Sequence, residues 1–154
     1  MRAINHALTG AAIGFIVTEP ALSVPLAFAS HFVLDVIPHS GSSRDKNVEL
    51  KSKMFKYILI IDSILCILFI AILALFHPHN WVIAAICAFV AAMPDFYSFP
   101  KYLRARRNKN QKEQGLYGKF ASNIQWFERP IGWFVEAAWF IALIIILLPF
   151  IKYR

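Results

Sequence analysis

Charge is scarce in this sequence and unevenly placed. Lys, Arg, Asp and Glu make up 16% of the 154 residues and apolar residues 58%, against about 25% and about 45–50% in ordinary soluble domains. A water-soluble globule of this size cannot cover so much apolar surface, which excludes an ordinary soluble enzyme. Cysteine is limited to Cys66 and Cys87, both inside apolar runs. That excludes a disulfide-stapled secreted scaffold and makes the pair small core residues. There is no G-x-S-x-G elbow, Walker loop or dinucleotide fingerprint, so serine hydrolase, nucleotide-driven and dehydrogenase chemistries lack support. Internal repeats and low-complexity linkers are also missing. What remains is a single domain, residues 1–154, whose solvent is mostly lipid.

Lys and Arg are missing from 3–43, 57–100 and 130–151. These gaps predict an all-α polytopic membrane bundle of about five transmembrane helices, over 3–18, 21–38, 55–76, 81–99 and 130–151. The first two runs break at Glu19-Pro20 and lie near the lower limit of about 17 residues, so a thinned bilayer or a partly re-entrant hairpin also fits. With the N-terminus in the cytoplasm, fourteen Lys and Arg fall on that side and only Lys152 and Arg154 on the other, a strong positive-inside bias. Trp81, Trp126, Trp133 and Tyr153 sit near span ends, where amphipathic rings belong. A signal peptide cleaved after Ala27-Phe28-Ala29 is the competing reading. One leading basic residue and an apolar stretch interrupted at Glu19-Pro20 weigh against it.

The net charge of +7 resides in the loops. Residues 101–112 are rich in Lys and Arg, yet no nucleic-acid recognition module accompanies them. As part of a cytoplasmic basic segment over 101–129, the stretch 101–119 predicts contact with anionic lipid headgroups and no nucleic-acid partner. After a break at 114–118, Phe120, Ile124 and Phe127 have the spacing of a short interfacial helix.

Four of the nine acids lie inside apolar runs: Asp35, Asp62, Asp95 and Glu136. Three of the five histidines, His6, His31 and His39, are in or beside the first two spans. Charged groups at membrane depth are costly and face the bundle interior, which makes them functional candidates. All seven fall in the cytoplasmic half, with Asp62 and Glu136 about 9 Å deep at 1.5 Å per residue. Five spans contributing to one layer predict a single site.

His31, Asp35 and His39 read H-x3-D-x3-H, which places them within an arc of about 80° on one helix face. Pro38 would loosen the last turn and set His39 at the exit. His6, Gly10 and Gly14 share a face of the first span, and Gly10-x3-Gly14 is a small-residue pattern for close approach. It is expected to bring His6 toward the His31 face. No Lys or Arg lies within the spans beyond Lys56 at the start of the third. The carboxylates must therefore be protonated, paired with a protonated His, reached by a loop cation such as Lys56 or Lys101, or bound to a metal. Imidazoles with carboxylates suit zinc, iron or manganese, zinc being commonest with three protein ligands and a water. Surplus acids could orient ligands or act as general base.

Blander readings stand beside these. A lone intramembrane His is often a hydrogen bonder between helices, Asp62 and Glu136 fit polar contacts between helices, and Asp95 in Met93-Pro94-Asp95 fits a helix end. His77 and His79 belong to a turn, and residues 40–43 to a flexible exit with some capacity for an anion.

Two segments carry a family likeness. Asn5-His6-Ala7-Leu8-Thr9-Gly10 followed by Ser30-His31-x3-Asp35 resembles the bacterial membrane-bound metal-dependent hydrolases, the LexA-binding inner-membrane group among them. Residues 30–41 also resemble short membrane proteins grouped with zinc-dependent phospholipase C. The likeness covers residues 4–41. It implies metal ligation by His6, His31 and Asp35, a hydrolase-like site among the helices, and a place in the inner (cytoplasmic) membrane. The family's Pro-Asp-x-Asp-His motif is reduced to Pro94-Asp95, after His31 instead of before it, and its Thr-His segment is missing.

Together these readings lead to a membrane-embedded metal-dependent hydrolase acting on phosphoesters or lipid headgroups. The metal ligands would be His6, His31 and Asp35, joined by Asp95 or His39, with Asp62 or Glu136 as base or as a partner that orients the ligands. Two alternatives remain open: a noncatalytic membrane subunit whose polar layer specifies packing, and a proton or cation transporter using Asp62, Asp95 and Glu136.

Overall fold

The computed structural model describes residues 1–40, 53–107, 128–129 and 132–152. Five helices account for nearly all of them: α1 Ala3–Ile16, α2 Pro20–Val36, α3 Lys53–Phe76, α4 Trp81–Arg107 and α5 Trp133–Lys152. A parallel pair of two-residue strands, β1 His39–Ser40 and β2 Glu128–Arg129, joins His39 to Glu128 and Ser40 to Arg129. Residues 41–43, most of the basic stretch (108–119) and the expected interfacial helix (Phe120, Ile124, Phe127) lie outside the described residues.

α1 is the central helix. Residues on every side of it are buried, from Ala3 through Phe15. Its core residues pack with Cys66, Phe69 and Leu73 of α3, Ala84, Ala88 and Ala92 of α4, and Leu143 and Leu147 of α5. Gly10 and Gly14 set the closest approach. A Cβ on Gly14 would stand 2.7 Å from the Ala84 Cα, and one on Gly10 would meet the Cys87 carbonyl and the Ala91 Cβ. The glycine face thus packs on α4, not on α2 as expected. The physical reason is that α4 offers its own small residues, Ala84, Cys87, Ala88 and Ala91, in helical register. α2 completes this inner unit through Ala27, which packs with Cys87 and Ala91.

Two helices, at Lys56–Phe76 and Trp133–Ile151, are long and apolar enough to cross a membrane. The apolar helices at Ala3–Ile16, Pro20–Val36 and Trp81–Tyr97 are shorter. Large apolar side chains point away from the bundle on α2, α3, α4 and α5, among them Leu22, Val33, Ile67, Phe89 and Ile145.

Three expectations about boundaries are corrected. Asp95 does not end a helix, because α4 runs through Pro94 and Pro100 to Arg107. α2 stops at Val36, since Pro38 holds the preceding Ile37 in extended backbone at φ −71°, ψ 143°. His39 consequently leaves the helical face of His31 and Asp35 and enters β1. The stretch 77–80 is a turn, with His77 and Asn80 both at positive φ.

Candidate metal centre

The start of α1, the end of α2 and the facing part of α4 meet in one polar layer. His6 is wholly buried and His31 is 3% exposed. Their ring centroids are 4.1 Å apart. The Asp35 carboxylate spans the two rings, with Oδ1 3.2 Å from His6 Nε2 and Oδ2 3.4 Å from His31 Nε2. Asp95 Oδ2 lies 3.9 Å from the same His6 Nε2. One ligand atom from each of His6, His31 and Asp95 falls within 4.8 Å of the others. The Asp95 side chain is 34% exposed and forms the open edge of the cluster.

Proton placement at His31 follows from its partner. Its Nδ1 stands 2.9 Å from the Ala91 carbonyl oxygen, which can only accept, so Nδ1 carries the hydrogen. In the neutral ring Nε2 then presents a lone pair toward Asp35, an arrangement that either a proton or a metal cation between the two reconciles. An imidazole whose far nitrogen donates to a backbone carbonyl is the usual arrangement of a metal-bound histidine. His6 Nδ1 has no hydrogen-bond partner among the described residues, and its Nε2 faces Asp35 Oδ1 at 3.2 Å. The donor set, two imidazoles with carboxylates, fits zinc.

The remaining acids act elsewhere in the layer. Both oxygens of Asp62 accept backbone amides of α1, Oδ2 from Ala3 at 2.7 Å and Oδ1 from Ile4 at 3.1 Å. Glu136 Oε1 accepts from the Arg2 amide at 3.1 Å, and Oε2 accepts from Ser40 Oγ at 2.5 Å and lies 3.4 Å from Arg2 Nε. An open helix amide left without an acceptor in so buried a place costs about 1–3 kcal/mol. The geometry therefore accounts for Asp62 and Glu136 as acceptors for a helix start, with their oxygens already engaged. His39 does not join the cluster. Its Nδ1 donates to the Ile37 carbonyl at 2.8 Å, and its backbone abuts Gly132, where any Cβ would strike the His39 carbonyl.

Sequence reasoning missed several participants. The N-terminal ammonium of Met1 lies 2.6 Å from Asp35 Oδ1, and Arg2 is the cation beside Glu136. Ser40 and the Ala91 carbonyl were also unassigned. A readable signal existed for the acids: α1 has no side-chain cap and no acid in its first turn, so its amides had to find acceptors on other elements. No family model, curated protein or solved structure matches the chain.

Proposed function

We propose that this chain is an integral membrane protein of five spans with a cytoplasmic N-terminus, and that His6, His31 and Asp95 hold a divalent cation, zinc, for hydrolysis of a phosphoester near the cytoplasmic leaflet. The observation that carries this reading is the His31 ring, tied through Nδ1 to Ala91 with Nε2 turned into the cluster. When bound, zinc supplies a Lewis acid that lets water attack at neutral pH. His6 and His31 would bind, and Asp35, whose oxygens face Nε2 of both rings and the Met1 ammonium, holds the two rings in place. Asp95, at the open edge, is the member that an incoming phosphoester meets first. The outward apolar side chains support a lipid surround. The Lys and Arg of 101–119 supply attraction for anionic headgroups of the inner membrane. The likeness of residues 4–41 to membrane-bound metal-dependent hydrolases points the same way.

Metal analysis of detergent-purified protein tests this. Wild type is expected to carry one zinc per chain, and His31→Ala and Asp35→Ala to lose it. Wild type, but neither variant, should cleave a phosphodiester or a short-chain phospholipid. A second reading is favoured by the engagement of Asp62 and Glu136 with backbone amides: a noncatalytic subunit whose polar layer fixes helix packing. Metal-free wild type, with both variants merely less stable, would favour it.

A further inference from the structure

α1 begins without support from its own sequence. Arg2 stands at the N-cap in extended backbone, and no side chain of the first turn accepts from the open amides. Among lipid and packed helices water cannot take that role, so acceptors must come from other elements. They come from the two helices of membrane-crossing length. Asp62 of α3 takes the amides of Ala3 and Ile4, one on each oxygen, and Glu136 of α5 takes that of Arg2. The Asn5 side chain adds a bond from its Nδ2 to the Glu136 backbone carbonyl at 3.2 Å. Every residue from Arg2 to Asn5 is thus tied to α3 or α5, and the next is His6. The negative carboxylates also meet the positive end of the α1 dipole.

We infer that Asp62 and Glu136 are positioning residues: they fix the first turn of α1 from two flanking helices and thereby set His6 against His31. Neither is a carrier of protons. The metal-affinity part of this inference rests on the zinc reading above, whereas the placement of His6 does not.

The test uses full-length protein in detergent, measured first without metal. Amide exchange at Ala3 and Ile4 and the ring nitrogen signals of His6 are compared in wild type, Asp62→Ala and Asp62→Asn. Asp62→Ala should speed exchange at both amides by about tenfold or more and move the His6 signals. Cobalt(II), read by its absorption bands, should then bind about tenfold more weakly in that variant. Asp62→Asn retains one carbonyl oxygen as acceptor and should restore one of the two amides and part of the cobalt affinity. A residue that carries protons would not be rescued by Asn, so equal cobalt loss in the Asn and Ala variants overturns the inference. Unchanged exchange and unchanged His6 signals in Asp62→Ala overturn it as well. Should Asp62→Ala fail to fold, Asp62→Asn still has to speed exchange at one of the two amides, and Glu136→Gln at Arg2. Their silence sinks the idea. If wild type binds no cobalt while Asp62→Ala still speeds exchange and moves the His6 signals, the zinc reading falls and the positioning role stands.

Discussion

α1 and α3 are both apolar helices, and they occupy opposite situations. α1 has 14 residues, Gly- and Ala-rich, and is buried on nearly all sides although it carries Asn5 and His6. α3 has 24 residues rich in Ile and Leu, of which a narrow stripe (Asp62, Cys66, Phe69 and Leu73) faces the bundle. The more apolar helix is therefore the more exposed one. Close packing of small residues decides which helix is central. Length follows the same division. At 1.5 Å per residue α1 is about 21 Å long and α3 about 36 Å. Only α3 of the two is long and apolar enough to cross a membrane.

The largest effect should come from the closest contact of the inner unit. Gly14→Val places a branched side chain against the Ala84 backbone, and neither α1 nor α4 has a flexible group there to give way. Overpacking in a well-packed core costs about 1–3 kcal/mol, and more when backbone is struck. Thermal unfolding in detergent should show a severely destabilised or unfolded protein. A wild-type melting temperature would mean that the two helices are not in contact at that glycine, and the contrast with α3 would lose its basis.

The same contrast explains what could be read from the sequence. The gaps in Lys and Arg located all five helices to within a few residues, except that α4 continues to Arg107, because long apolar runs free of basic residues are visible residue by residue. The meeting of His6, His31, Asp35 and Asp95 was legible because acids and imidazoles in apolar runs must find polar partners inside the bundle. Partner choice was less legible. Gly10 and Gly14 announce a close approach, but which helix provides the small face is a matter of three-dimensional arrangement. His39 was misplaced because one proline outweighed a four-residue spacing. The work of Asp62 and Glu136 was hidden because their partners are backbone amides, which every residue but proline possesses and no motif records.

A smaller loss should follow from the polar stitch between α1 and α5. Trp139 Nε1 donates to Thr9 Oγ1 at 3.1 Å, and that hydroxyl donates to the Asn5 carbonyl at 2.8 Å. Thr9→Val keeps the shape and removes both bonds, so about 1 kcal/mol of stability should be lost. Denaturant titration followed by Trp fluorescence would measure it. No change would indicate that the indole exchanges this partner for another at no cost.

The smallest effect is expected on the outer face of α3. Ile67 is 67% exposed, more than any other large apolar side chain described on that helix except Leu75. Removing three carbons there opens no cavity, because acyl chains or detergent fill the space, and the change should stay within about 0.5 kcal/mol. Leu73, wholly buried six residues later on the same helix, should lose about 2–5 kcal/mol when cut to Ala, since nothing can flow into the space left behind. The pair isolates the surroundings from the helix itself. Unfolding of the two variants in detergent and again in nanodiscs would compare them directly. A cost above about 2 kcal/mol for Ile67→Ala in both media would mean that protein covers this face, and α3 would then belong with α1 as an enclosed helix.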